Sequence, residues 1–294
     1  MKIVPRPDTL VQIFFFVSEI LRFVELRCPR LAGKHSIGRH SKLTHAENIS
    51  LSLYRSVMKQ PDTKSYYEFV KGYHTSEFSH LPDYSNFLKQ QKQLLPLTSL
   101  LLHVLMAINR SNFKNSKEYL MFVDGSEIPV CTNKRIFTHK VAYGVAARSK
   151  STKGWFYGFR LHILCDKYGN LLGVKITPGN IDERKMVVKL LHDLQGVLVA
   201  DAGYISTALH KKLQRLNVWF LTGVKRNQKK LMTKANHLLL KARQRVETTI
   251  GILKQRLGLV TSLPRSIKGF QVHFLLVCLS YCVFGLLKRK RLSA

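Results

Sequence analysis

Apolar positions recur along this chain in two rhythms, and the change between them falls near residue 115. Before it, hydrophobic side chains come at helical spacing over 46–60, 64–72, 84–93 and 97–110, and Pro61, Pro82 and Pro96 punctuate the segments. From about 116 the pattern is that of strands: YLMFVD (119–124), then after a basic loop WFYGFRLHILC (155–165), a DKYGN turn, and LLGVKIT (171–177). Gly169 and Asn170 mark the reversal of a hairpin. DERKMVVKLLHDL (182–194) returns to helical spacing, with Met186, Val187, Leu190 and Leu191 on one face; Asn180 is expected to cap it, with Glu183 as the reciprocal capping acid. An apolar strand ending at Asp201, a helix over 206–215, the strand VWFLTGV (218–224) and one long helix over about 236–257 follow.

Three strands with a hairpin, then helix, strand, helix, strand and helix, predict an α/β domain over 116–294 preceded by a mainly helical domain over 1–115. It is the order expected of a ribonuclease-H-like mixed sheet flanked by helices. Two further apolar stretches invite a membrane reading. VQIFFFV is too short and is soon followed by Glu19, and GFQVHFLLVCLSYCVFGLL (269–287) carries Gln271 and His273, so a buried terminal helix is expected there.

Charge narrows the choice of partner. Lys and Arg number 48 against 17 Asp and Glu, a net +31, and the excess is spread along the chain rather than gathered in a tail. That balance points to nucleic acid, and the long apolar strands exclude a disordered packing protein. Basic residues concentrate at Lys134, Arg135, Lys140, Arg148, Lys150 and Lys153, and again at Lys225, Arg226, Lys229 and Lys230; such clusters give salt-sensitive phosphate affinity without reading sequence. Cysteines at 28, 131, 165, 278 and 282 are odd in number with no CxxC spacing, which implies a reducing compartment and no structural zinc. His35, His40 and His45 repeat at a step that suits neither a helix face nor a zinc site, and read as a solvated basic loop.

Against this background two acids stand out. Asp201 in GVLVADAGY and Asp124 in YLMFVDGSEIPV each end an apolar run and are followed closely by glycine. A buried strand does not keep an ionised carboxylate unless it is paired or holds a metal. The long helix supplies a third acid: Val246, Ile250, Leu253 and Leu257 form its core stripe, and Arg243, Glu247 and Lys254 fall in a narrow sector beside it. By itself that sector is a solvated face with an ion pair worth about 0.3–0.5 kcal/mol. Joined to Asp124 and Asp201, it suits phosphodiester chemistry, which two Mg²⁺ ions held by two or three carboxylates promote. Other acids have plainer readings: Glu127 faces away from Asp124, Asp182 starts a helix, and Asp166 sits in a turn. Arg160 and His162 share the strand side of Phe156, where approach to a phosphate and a packed or capping role are both open; Asn227 belongs to a basic loop.

The fragments FVDGSEIPVC, KGWFYGFRLHILCD, ITPGNIDERK, LVADAGYIS and RQRVETTIGILK, in this order within roughly 45–287, resemble an insertion-sequence transposase of the DDE type, most similar to the IS982 family and related to the wider IS4-like group. The resemblance implies that Asp124, Asp201 and Glu247 are the catalytic and metal-holding acids. The family signature Tyr-x2-Arg-x3-Glu-x6-Lys falls on Arg243, Glu247 and Lys254, with Leu240 at the tyrosine position. It further implies two Mg²⁺ ions with Mn²⁺ as a substitute, double-stranded DNA as substrate in terminal inverted repeats and target, contacts from Arg243, Lys254, Arg160, His162, Lys225 and Arg226, a homodimer on DNA, end recognition by residues 1–115, and a bacterial cytoplasmic, nucleoid-associated location without membrane attachment. A DNA-binding relic of a transposase and a related nuclease without strand transfer are the alternatives.

Overall fold

The computed structural model describes residues 8–27, 42–58, 60, 62–78, 80–116, 119–224, 232–260 and 264–292. Two compact units are present, Met1–Leu105 with Leu253–Ala294, and Met106–Ile252.

In the first unit the helices are α1 (Thr9–Arg27), α2 (His45–Met58), α3 (Thr63–Tyr73), α4 (Tyr84–Gln93) and the first half of α5 (Leu95–Asn115). The predicted segments recur with extended ends, and the VQIFFFV patch lies within α1. His45 opens α2 and is not in a loop; His35 and His40 lie outside the described residues. The α2 start is a reciprocal cap, in which Glu47 N–H donates to Thr44 Oγ1 (3.2 Å) and Thr44 N–H to the Glu47 carboxylate (2.7 Å). Asp62 and Asp83 cap α3 and α4. The last helix described, Ile267–Leu292, is long and apolar enough to cross a bilayer, and more than half of its most apolar window is buried. It packs on α2 and α4, where His273 Nδ1 lies 3.1 Å from Arg55.

The second unit is a mixed α/β layer structure. Its strands are β1 (Leu120–Cys131), β2 (Ala147–Ser151), β3 (Gly154–Asp166), β4 (Leu171–Pro178), β5 (Gly196–Ala200) and β6 (Val218–Thr222), with α6 (Arg184–Leu191) between β4 and β5 and α7 (Thr207–Arg215) between β5 and β6. Among the described residues the sheet runs β3–β1–β5–β6, and both β2 and β4 pair with the far edge of β3. β1, β2, β3 and β4 pair antiparallel; β1, β5 and β6 pair parallel. The β3–β4 turn forms where expected, and Asp166 shapes it by accepting from the backbone N–H of Tyr168 (2.9 Å) and Asn170 (2.8 Å).

Alternation divides the sheet into two faces. Met121, Val123, Leu164, Leu198 and Ala200 bury one face against Met186, Val187, Leu190 and Leu191 of α6 and Leu209 and Leu213 of α7. Each such fully buried aliphatic side chain contributes roughly 1.5–3 kcal/mol. The opposite face, with Phe122, Ile163 and Cys165, meets α9 (Gln244–Gly251), which follows α8 (Lys234–Ala242); the Thr249 hydroxyl hydrogen-bonds Cys165. The second half of α5 joins this unit, where Asn109 and Arg110 donate to the carbonyls of Leu171 and Leu172 (3.0 and 2.9 Å).

Three expectations need correction. β1 does not end at Asp124; it runs on to Cys131 because β3 pairs with it over its whole length. The basic loop before β3 contains β2, whose short alternation ARSKS carries too little apolar signal to read as a strand. The single helix expected over 236–257 is broken: α8 stops at Ala242, α9 resumes at Gln244, and Ile252–Arg256 winds as a π-helix. The uniform step of 100° per residue therefore relates Arg243 to Glu247 but does not extend to Lys254.

Gly196, which starts β5, has φ +125°, and a Cβ there would lie 2.4 Å from the Tyr119 carbonyl oxygen that receives Val197 N–H. Gly196→Ala is expected to destabilise the protein by more than about 1 kcal/mol, because both the backbone conformation and the contact become unfavourable. Chemical denaturation of the two proteins checks this; an unchanged midpoint contradicts it.

Candidate active site

β1 and β5 pair parallel from Leu120↔Val197 to Phe122↔Val199. Two residues further on, at the same level on the neighbouring chain segments, stand Asp124 and Asp201. Both extend the alternation of Phe122 and Val199, away from the α6 face. β5 stops at Ala200 while β1 continues, so β1 has no β5 partner beyond Phe122. A cavity of about 390 Å³ opens at this fork, lined among others by Asp124, Asp201, Arg160, Asp182, Glu183 and Tyr204.

The two aspartates are held differently. Asp201 is exposed, and its side chain accepts the Ala202 N–H (2.5 Å) at the head of the 3₁₀ turn Ala202–Tyr204. The Asp124 side chain is 17% exposed and accepts Gly125 N–H at 2.9 Å. Burial pushes its carboxyl up to about 6; Arg243 opposes the shift, and the negative charges of Glu183 and Asp201 add to it.

Arg243 sits at the break between α8 and α9, and its guanidinium bridges two acids. It donates to Asp124 Oδ2 at 3.2 Å and to Glu247 Oε1 at 2.5 Å. Glu247 is one helical turn on and half exposed. The structure thus brings Asp124, Asp201 and Glu247 to one face of the sheet, with Arg243 between the first and third. Among the described residues no three His, Cys, Asp or Glu side chains are gathered closely enough to hold one metal ion. Lys254 belongs to the π-helical segment and to the other unit.

The cavity's other wall was not legible as a site. Glu183 was expected to cap α6, yet it makes no capping hydrogen bond. Its carboxylate instead pairs with Arg160 Nη1, which also donates through Nε to the Gly179 carbonyl (3.1 Å). The Tyr204 side chain lines the same cavity, and burial, with the negative charges of Glu183 and Asp124 adding to it, pushes its phenol far up. The α6 start is served by Asp182, which accepts Arg184 N–H (2.9 Å) as its plainer reading anticipated. Glu127 points to the other side of β1 from Asp124 and pairs with Lys153 at 3.2 Å. His162 is buried in its packed role, with Nε2 2.8 Å from Thr177 Oγ1 and its basicity pushed down to about 4 by burial and by Arg160. Lys225, Arg226 and Asn227 lie outside the described residues.

The model of the transposase DDE domain matches residues 114–267, more than half of the chain. The chain belongs to this transposase family. No curated protein and no solved structure matches it. The match covers the whole mixed sheet, both Asp124 and Asp201 and the Arg243–Glu247 turn, so the family's DNA chemistry and the cavity fall in the same part of the transposase.

The raised Asp124 pKa has a consequence for stability. The unfolded carboxyl deprotonates near 3.9 and the folded one near 6, so between these values the native state binds more protons. This group's contribution is therefore most favourable below about pH 4 and is lost as pH rises through 6. With divalent ions chelated, Asp124→Asn is expected to melt with wild type at pH 4 and a few degrees above it at pH 7–8. Thermal melts across that range check this, and a difference independent of pH contradicts it.

Proposed function

We propose that this transposase cuts DNA at the ends of an insertion-sequence element of the IS982 type and joins the freed 3′-hydroxyl to target DNA, using Asp124, Asp201 and Glu247 as its acids. The observation that carries the reading is the in-register β1–β5 pair that sets Asp124 beside Asp201 at the mouth of a cavity, within a transposase DDE domain. The strand order β4–β3–β1–β5–β6, with three antiparallel strands followed by two parallel ones, supports a ribonuclease-H-like fold.

The donor set fits magnesium. Carboxylate oxygens are hard ligands, Mg²⁺ needs few of them beside water and phosphate, and two adjacent acids of like charge gain by sharing a cation. Asp124 would be common to two ions, with Asp201 and Glu247 each completing one; Mn²⁺ would serve in place of Mg²⁺. When bound, such ions supply Lewis acidity toward phosphate oxygens and a nucleophilic water at neutral pH. The protein's own residues do the rest. Arg243 pairs with Asp124 and Glu247, and its guanidinium would be available to a DNA phosphate wherever those acids held a cation instead. β1 carries Asp124, and Asp201 follows directly on the last residue of β5. DNA would be guided by the basic segment between Glu127 and Asp166, which contains no acid and in which Arg148 stacks over exposed Trp155 at 4.8 Å, with Lys150 paired opposite Trp155. Lys254, Lys225 and Arg226 would add further phosphate contacts, and recognition of the terminal repeats would fall to the helices before residue 115 in a homodimer.

A duplex carrying the element's own end should be nicked by the wild-type protein with Mg²⁺ or Mn²⁺ and left intact in chelator. Asp124→Asn, Asp201→Asn and Glu247→Gln should each lower the nicking rate at least about a hundredfold while retaining salt-sensitive DNA binding. Equal nicking by wild type and Asp201→Asn overturns the proposal, and metal-independent binding without any cleavage favours a DNA-binding relic.

A further inference from the structure

Glu183 is the carboxylate whose placement the fold and the proposed chemistry leave unexplained. It opens α6 and would stabilise that helix by capping it, but its side chain turns into the cavity. There it stands among the like charges of Asp124 and Asp201, an arrangement that costs electrostatic energy and that stability alone would not select. Two things make room for it. Gly125 has no side chain, and a Cβ at that position would fall 2.4 Å from Glu183 Cδ and 2.6 Å from Oε2. Arg160 supplies the counter-charge; its own orientation is fixed by the Gly179 carbonyl, by Ser149 Oγ at 3.4 Å, and by the Phe156 ring at 5.6 Å. Both side chains are mostly buried, 15% exposed for Arg160 and 21% for Glu183.

From this anchored position Glu183 touches the immediate neighbours of both strand-end acids. On one side it lies over Gly125, whose N–H binds Asp124 Oδ1. On the other it shares the cavity wall with the Tyr204 side chain, and Tyr204 N–H donates to the Asp201 carbonyl (3.0 Å) to close the turn that follows Asp201. The two acids are beyond the last β1–β5 pair, so backbone pairing no longer fixes their separation.

We propose that Glu183 is a positioning residue: held by Arg160 in the gap left by Gly125, its carboxylate ties the turn after Asp201 to the strand that carries Asp124, and so sets the spacing of the two acids. The inference rests on the reading of those acids as metal-holding groups. Residues that orient metal ligands from behind typically account for about 10–100-fold in metal affinity.

The test is a Mn²⁺ titration followed by electron paramagnetic resonance, which needs no cleavage, on wild type, Glu183→Gln, Tyr204→Phe, Gly125→Ala, Glu183→Ala and the Gly125→Ala/Glu183→Ala double variant. Glu183→Gln should weaken Mn²⁺ binding roughly 10–100-fold with DNA affinity unchanged. Tyr204→Phe, which removes one hydroxyl and leaves the ring packed, should lose several-fold, and it keeps the idea testable where Glu183→Gln fails to fold. Gly125→Ala should weaken binding in the wild-type background and add nothing to Glu183→Ala, because the three atoms nearest to the added Cβ all belong to the Glu183 side chain. Wild-type Mn²⁺ affinity in Glu183→Gln or in Tyr204→Phe overturns the inference, as do multiplicative losses in the double variant. Should Asp124→Asn and Asp201→Asn bind Mn²⁺ and nick DNA like wild type, the reading of the acids fails; should they fail to bind while Glu183→Gln binds normally, only the role of Glu183 is lost.

Discussion

The parallel pairing of β1 with β5 is the constraint on which the rest of this molecule depends. Three residue pairs in register, Leu120↔Val197 to Phe122↔Val199, place Asp124 and Asp201 level with each other where β5 ends and β1 continues. The core beneath is apolar and closed, with Met121, Phe122, Leu198, Val199 and Ala200 fully buried, so the register cannot slip by one residue without turning both apolar rows inside out. Two carboxylates on neighbouring strands repel each other, and one is largely withdrawn from water. The neighbouring elements therefore have to bring positive charge to this point.

They do so from both faces of the sheet. On the α9 face, Arg243 bridges Asp124 and Glu247 from the break between α8 and α9. On the α6 face, Arg160 neutralises Glu183 above Gly125. Each guanidinium meets a carboxylate with the geometry that makes arginine, rather than lysine, suited to partly buried ion pairs. In a chain of net charge +31, acids are few, and four of them, Asp124, Asp182, Glu183 and Asp201, line a single cavity. The function proposed for this transposase suits that division: a strongly basic chain would draw DNA in, and the acids gathered at one cavity would hold a cation.

Much of this was legible because the signals were local. An apolar run ending in Asp-Gly or Asp-Ala-Gly marks a strand that leaves the core, and the spacing of Met186, Val187, Leu190 and Leu191 alone gives the buried face of α6. What was not legible depends on partners distant in sequence. β1 extends past Asp124 because β3 is there to pair with it, as Glu127↔Arg160 shows. The irregularity at Arg243 between α8 and α9 has no local signal such as a proline, and the Arg243 side chain reaches Asp124, 119 positions away. Glu183 lies at the right spacing for a capping box, and a local rule assigns it there. Its actual partners, Arg160 and Tyr204, are set by tertiary structure, and Gly125, the residue that admits it, reads in sequence only as the punctuation after an aspartate.

The proposed function requires Asp124 and Asp201 to hold one divalent cation between them. Anomalous scattering from crystals of the protein grown with Mn²⁺ measures this directly. The account predicts a manganese peak about 2.1 Å from an oxygen of each aspartate, with the Arg243 guanidinium withdrawn from Asp124. A peak bound elsewhere, or none with Arg243 still bridging Asp124 and Glu247 under saturating Mn²⁺, would contradict it.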